Sequence, residues 1–328
     1  MLLCGYFGYG NAGDEASLEV AIRLLGKRGI GSRVAFNPMG DFSEYAKLGA
    51  KRCNRFSISE LKHNLNECDA LLLAGGNLFQ NETSNRSLLY YSAVTALAKK
   101  LGRPVLMLSS GIGVIKSGVA ERLARRALSA VSFAGMRTDG DCVEAESYLG
   151  CPVTNMPDLV FAKMGRTNEK RDQIAIIPTG EPSEIISEAR RLRAEGLEPV
   201  VIPFFINEDS DAAIRIGGTL GCEVFFSQRV DEMIDRLAQC RLSLTARLHG
   251  AIFSMLASTH TVIISRSQKC ERFASEIKKR ARRLDTASPI IDYGEHTYVD
   301  KISLECGFSP ILANLREDLL CALDSIFV

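Results

Sequence analysis

The sequence predicts an α/β protein built from two Rossmann-like domains facing a cleft. Short apolar runs of strand length alternate with amphipathic helical stretches along the whole chain, the pattern of parallel sheets covered by helices. A polar stretch without periodicity, GRTNEKRD at residues 165–172, separates two such series. With 328 residues, 46% of them hydrophobic, the chain is just above the size at which one core divides into two.

Residues 2–7 read as the first strand. A glycine-rich turn follows, then a helix whose Leu18, Ile22 and Leu25 recur at i, i+4 and i+7. Further strands are expected over 33–36, 70–73, 105–109 and 131–134, with helices over 87–101 and 119–128. The second series is expected as strand 174–177, helix 183–195, strands 199–203 and 224–226, helix 231–240, strand 241–246, helix 251–256 and strand 261–264. An amphipathic helix over 311–326 closes the chain. The expected domains are therefore 1–165 and 172–310, with a C-terminal helix in 311–328 packing across both.

Bulk properties exclude several function classes. Forty basic residues against thirty-nine acidic ones leave a formal charge of +1, which gives nucleic acid no electrostatic purchase. No apolar run approaches the roughly 20 residues that span a bilayer, and MLLCG at the N-terminus does not read as a signal peptide. The ten cysteines are scattered without a C-x-x-C pair, which predicts reduced thiols, no metal site and a cytoplasmic location. The basic run at residues 278–283 reads as a solvated helix face and leaves open peripheral contact with a membrane-bound substrate.

Gly8, Gly10 and Gly13 satisfy G-x-G-x-x-G between a strand and a helix, the setting of a dinucleotide loop. Two features argue against that use. The second strand ends in Asn37-Pro38, with no acid at its tip to hold a ribose. Asp14 and Glu15 stand at the helix start, where they oppose a pyrophosphate and suit sugar hydroxyls instead. Asn11 and Asp14 are equally open to a structural role, shaping and capping the turn.

The more informative stretch is TARLHGAIF, residues 245–253, read as a strand that turns into a helix at Gly250. In extended chain Arg247 and His249 would share a face, at the strand end where open α/β sheets place ligands. The helix that follows carries no acid in its first turn. A guanidinium, an imidazole and a helix N-terminus together make an anion site with an acid/base beside it. For an isolated Arg-x-His, a core imidazole and an ion-paired arginine are the commoner outcome.

Several segments taken together resemble the polysaccharide pyruvyl transferase family, including its cell-wall-anchoring members. They are GYFG…NAGDEA (5–16), LLLAGGNLFQNETSNRSLLYY (71–91), SSGIGVI (109–115), PFFINED (203–209) and ARLHGAIFSMLAS (246–258), in the expected order over nearly the whole chain. Some positions depart from the family's pattern. Only Gly75-Gly76-Asn77 stands where a third glycine is common, Asn81 replaces an Asp, and Ser258-Thr259-His260 replaces Gly-Val-Pro. Before Lys269 the usual Tyr-Asp-Pro is missing, with Arg266 as a candidate substitute.

The resemblance implies a GT-B-like fold and transfer of the enolpyruvyl part of phosphoenolpyruvate to a sugar of a cell-surface polysaccharide or its precursor. The product would be a pyruvate ketal, with phosphate released and no cofactor required. It implies His249 as acid/base, and Arg247, Arg137 and Lys269 as ligands of phosphoenolpyruvate. The acceptor, a glycan or lipid-linked saccharide, would meet Asn11, Asp14, Gly76, Asn77 and Gln80; turn-capping serves equally for Asn77 and Gln80. Phosphoenolpyruvate carries about three negative charges near neutrality, which suits clustered arginines. A nucleotide-sugar glycosyltransferase on the same fold, or a glycan-binding protein without turnover, are the competing readings.

Overall fold

The computed structural model describes residues 1–82, 85–180, 183–265, 267–294 and 308–327. The chain forms two compact units, residues 1–9, 14–162 and 318–328 in the first and residues 10–13 and 163–317 in the second. Each is built on a parallel sheet.

In the first unit the strands are β1 Leu2–Cys4, β2 Arg33–Phe36, β3 Lys51–Asn54, β4 Leu71–Ala74, β5 Val105–Ser110, β6 Val131–Met136 and β7 Val153–Asn155. Their order is β3-β2-β1-β4-β5-β6-β7, with Leu3 in register with Val34 on one side and Leu72 on the other. Both faces of the sheet are covered, so β4 is apolar at every position rather than alternating. Leu2, Leu71 and Leu73 feed one core, while Leu3, Val34 and Leu72 feed the core on the opposite face, against Leu18, Ile22 and Leu25.

The second unit repeats this plan with β8 Arg171–Ile177, β9 Glu198–Val201, β10 Glu223–Val224, β11 Cys240–Thr245, β12 His260–Ile263 and β13 Ile290–Ile291. The order is β10-β9-β8-β11-β12-β13, again all parallel. Ile174, Ile176, Leu242, Leu244 and Val262 form its core with Ile185, Ala189 and Ile216 from the covering helices. In both sheets the strand order reverses beside the first strand of the unit. Open α/β sheets bind ligands at such a switch point, at the C-terminal strand ends. The loops leaving β1, β4, β8 and β11 occupy these positions.

Several elements differ from the sequence expectation. The first strand ends at Cys4 rather than residue 7. A Cβ on Gly5 would lie 2.3 Å from the Phe7 ring and 2.8 Å from the Ala74 carbonyl, so the chain bends sharply there. β3 and β7 are edge strands with little apolar pattern, as in Lys51-Arg52-Cys53-Asn54, and β13, though both its isoleucines are buried, is only two residues long, so all three escape a reading based on hydrophobicity. The helix after β11 spans Leu248–Leu256, not 251–256, so Arg247 is its N-cap and His249 its second residue. The expected sharing of one extended face by the two side chains therefore does not occur.

The polar stretch 165–172 is not a free connection. Arg166 Nη1 meets both oxygens of Asp235 at 2.6 and 2.7 Å, and Lys170 Nζ donates to Ala257 O (3.1 Å) and Thr259 Oγ1 (2.8 Å). Burial lowers the Lys170 ammonium to about 8. Arg166 and Lys170 thus have fixed partners inside the second unit, although most of the stretch is exposed. In the C-terminal helix, Phe308–Asp324, Ile311 and Leu315 are buried, and Leu319, Ala322 and Leu323 join the first unit's core. No helix among the described residues is long and apolar enough to cross a membrane.

His260 opens β12 with its ring edge-on to Phe308 at 5.3 Å. Burial first, and the Lys170 cation second, hold it down to about 4 from 6.5. Between those values the unfolded chain binds a proton that the folded one refuses, so stability falls as pH drops from 6.5 towards 4. The loss is roughly 2–3 kcal/mol. Urea midpoints at pH 7 and pH 4.5 should differ less in His260→Phe than in the wild type. An equal acid loss in both would contradict this.

Candidate functional site

The glycine-rich loop after β1 is held by its own chain. Glu15 accepts from the backbone N–H groups of Gly8 (2.7 Å) and Tyr9 (3.2 Å), and from the Tyr45 hydroxyl (2.6 Å). Burial, and then this carboxylate, raise the pKa of the Tyr45 phenol and keep it protonated. On the loop's other flank, buried Arg55 donates to Gly5 O at 3.0 Å and lies over the rings of Tyr90 (4.4 Å) and Tyr9 (5.2 Å). In a dinucleotide site, such amides would take a phosphate. Here the Gly8 and Tyr9 amides already have an anion, supplied by residue 15.

Asp14, next to it, is 6% exposed. A Cβ added to Gly76 would stand 3.4 Å from its Oδ1. The Gly76 loop after β4 runs beside the loop after β5, joined by Gly111 N to Gly76 O (3.1 Å) and Gly113 N to Phe79 O (3.1 Å). Between them Arg137 enters from the end of β6. It is 7% exposed, donates through Nη2 to Asn77 Oδ1, and has Asp158 Oδ2 at 4.0 Å from Nη1. Its Nε is buried without a hydrogen-bond partner among the described residues. A Cβ at residue 111 would strike Asn77 Oδ1 at 2.5 Å and Arg137 Nη2 at 2.8 Å, so glycine there is what admits the guanidinium. Gln80 packs over Gly113, where a Cβ would lie 2.6 Å from its own Cβ. Asp14, Gly76, Asn77, Gln80 and Arg137 are thus gathered in the first unit.

Residues 10–13 belong to the second unit. Asn11 bridges Phe205 in antiparallel fashion, Ala12 N donates to Phe204 O (2.8 Å), and Ile206 N donates to Gly10 O (3.2 Å). The Asn11 side-chain oxygen accepts from Gly13 N at 3.2 Å, so of the two roles open to it the structure shows the capping one. Gly13 carries the more consequential contact. A Cβ there would lie 1.9 Å from Nδ1 of His249. The third glycine of the motif is the floor on which the imidazole rests.

His249 reaches that floor because of how its helix begins. Thr245 Oγ1, at the end of β11, accepts from Arg247 N (3.0 Å) and donates to Arg247 O (2.9 Å), closing a tight turn. Gly250 lets the first helical turn sit against this hydroxyl, since a Cβ would lie 2.2 Å from it. The His249 ring also meets Phe253 edge-on at 6.5 Å.

Arg247 is not a bare cation. Its Nε donates to Asp209 Oδ2 at 2.8 Å and its Nη2 to Asp209 Oδ1 at 2.5 Å. Phe205 N donates to the same Oδ2 at 2.9 Å, and the Phe205 ring lies 5.7 Å from the guanidinium. The expectation of a helix start without an acid holds within the helix itself, but the carboxylate arrives from the helix Ile206–Leu220. Asp209 lies in the PFFINED segment, and nothing in its local sequence marks its partner. Lys269 is exposed in the first turn of the helix Gln268–Arg283, and Arg266 lies outside the described residues.

The architecture is that of a two-unit α/β protein built on parallel sheets. The model of the polysaccharide pyruvyl transferase family matches residues 11–268 of this chain, and the chain belongs to that family. No curated protein matches it in sequence. Among solved structures, the Staphylococcus aureus MnaA–UDP co-structure is 12% identical with a TM-score of 0.62, covering 99% of this chain and 94% of its own. The UDP-GlcNAc 2-epimerase of Neisseria meningitidis bound to UDP-GlcNAc is 12% identical at 0.56, covering 99% and 100%. The spinosyn rhamnosyltransferase SpnG is 11% identical at 0.50, covering 100% and 99%. Likeness at such identities is one of fold, the Rossmann-like GT-B class.

The contact between residue 13 and the imidazole can be read directly, because the chain has only four histidines. Helix propensity alone favours Gly13→Ala by about 1 kcal/mol, yet the new methyl must displace the ring. In the imidazole proton spectrum, Gly13→Ala should move the resonance that is missing from His249→Gln and leave the others in place. An unmoved resonance would show that the ring does not rest on residue 13.

Proposed function

We propose that the protein transfers the enolpyruvyl group of phosphoenolpyruvate to two hydroxyls of one sugar in a cell-surface polysaccharide or its precursor. The products are a pyruvate ketal and inorganic phosphate, and the cytoplasm is the proposed location. The observation that carries this reading is the start of the helix Leu248–Leu256. An arginine with a fixed guanidinium and an imidazole on a glycine floor lie two residues apart at a sheet's switch point.

In the proposed reaction, protonated His249 delivers its proton to the methylene carbon as a sugar oxygen attacks C2. The C=C bond becomes C–H and C–O, giving a tetrahedral phosphoketal. The neutral imidazole then takes the proton of the second hydroxyl as its oxygen displaces phosphate from the same carbon. The protons balance: of the two that the hydroxyls release, the first passes to the phosphate group, which leaves with the bridging oxygen as hydrogen phosphate, and the second restores the proton that His249 gave to the methyl group. An imidazole changes state near neutral pH, as such a cycle needs. Arg247, Arg137 and Lys269 are the proposed ligands of the carboxylate and phosphate. Asp14, Gly76, Asn77 and Gln80 are proposed for the acceptor, with Asn11 acting as a cap and Asn77 also orienting Arg137.

With phosphoenolpyruvate and a panel of glycan acceptors, the protein should release phosphate only when an acceptor is present. His249→Ala should lower that rate by roughly 10²–10⁴-fold while binding phosphoenolpyruvate normally. Release that survives in the variant would remove His249 from the chemistry. Turnover of UDP- or GDP-sugars with indifference to phosphoenolpyruvate would replace this reading with glycosyl transfer.

A further inference from the structure

We infer that Asp209 is a positioning residue for turnover, acting through Arg247; the inference rests on the reading of phosphoenolpyruvate as the donor. Asp209 is 1% exposed, and its two oxygens receive three donors, Phe205 N, Arg247 Nε and Arg247 Nη2. A carboxylate buried this deeply persists only with its charge matched and its lone pairs filled. Its match is a two-point fork, which sets the plane of the guanidinium as well as its position.

That fork decides what Arg247 can offer a substrate. Nε and one N–H of Nη2 are committed to Asp209, with Glu208 Oε2 4.0 Å from Nη2, while Nη1 donates no hydrogen bond among the described residues. An anionic oxygen arriving at Arg247 therefore meets the opposite edge of the guanidinium, Nη1 and the second N–H of Nη2, in one fixed plane. Arg247 also caps the helix on which His249 is the second residue. Setting the guanidinium plane thus sets where a bound anion lies relative to the imidazole. The fork also ties to the floor under that imidazole. Phe205, whose N–H Asp209 holds, bridges Asn11, and Gly13 two residues on carries the His249 ring.

Removing the carboxylate would have two opposing effects on ground-state binding. The local charge becomes more positive, which attracts the anion, while the guanidinium gains rotamers that must be lost again. Chemistry suffers only the second, since it needs C2 and the methylene carbon placed against the imidazole. Asp209 should accordingly matter for kcat much more than for affinity.

The test is a double-mutant cycle of Asp209→Asn and Arg247→Lys, read as kcat for phosphate release and as phosphoenolpyruvate Kd by calorimetry. Asp209→Asn alone should lower kcat on the order of 100-fold, the cost of a small misplacement, with Kd moving less than about threefold. A lysine has no fork to orient, so in the Arg247→Lys background Asp209→Asn should cost less than about threefold. Equal losses in both backgrounds would show that Asp209 only supports the fold and would overturn the inference. So would a loss of affinity with kcat unchanged. If Asp209→Asn does not fold, Asp209→Glu keeps the charge, misplaces the fork and should give the same non-additivity. A wild-type protein that binds no phosphoenolpyruvate overturns the donor reading and this inference together. Additive losses in an enzyme that does use it overturn this inference alone.

Discussion

The second unit's site depends on one buried carboxylate meeting one guanidinium. Asp209 cannot be kept 1% exposed without Arg247, and Arg247 cannot be held flat without Asp209. From that pair the contacts run in a closed circuit. Asp209 holds the Phe205 amide, the Phe204–Ile206 backbone holds residues 10–12, Gly13 supports His249, and His249 stands two residues beyond Arg247. Each link is short and directional. Loosening any one of them loosens the imidazole.

The two sheets share a plan and differ in what their switch points carry. Beside β1 and β4 the chain presents carboxylates, amides and close-packed glycines, with Arg55 and Arg137 buried behind them. Beside β11 it presents an arginine and a histidine on a helix start. The proposed division of labour, acceptor hydroxyls on the first and donor anion on the second, follows this chemistry. Arg137 is the exception, a cation within the first group whose Nη2 is already shared with Asn77.

Much of the fold was legible because strands covered on both faces leave continuous apolar runs. Leu71–Ala74 and the core of β8 could hardly be read otherwise. Edge strands such as Lys51–Asn54 were not legible, since one covered residue makes no pattern. Of the site, Arg247 and His249 stood out from residue type and position in the chain. The meaning of Gly13 did not, because its neighbour is an imidazole far along the sequence. Asp209 was hidden for the same reason. A long-range ion pair leaves no local signature, and an acid in a helix's first turn is ordinarily read as favourable to that helix alone.

The most direct test of the proposed chemistry is the fate of the oxygen that bridges carbon and phosphorus in phosphoenolpyruvate. In a pyruvate ketal both oxygens on the central carbon come from the sugar, so the bridging oxygen must depart with phosphorus. Phosphoenolpyruvate labelled with heavy oxygen at that position, turned over with acceptor, should yield phosphate carrying the label and a ketal without it. Label retained on the carbon product, with unlabelled phosphate, would mean cleavage of the P–O bond and would contradict pyruvyl transfer at this site.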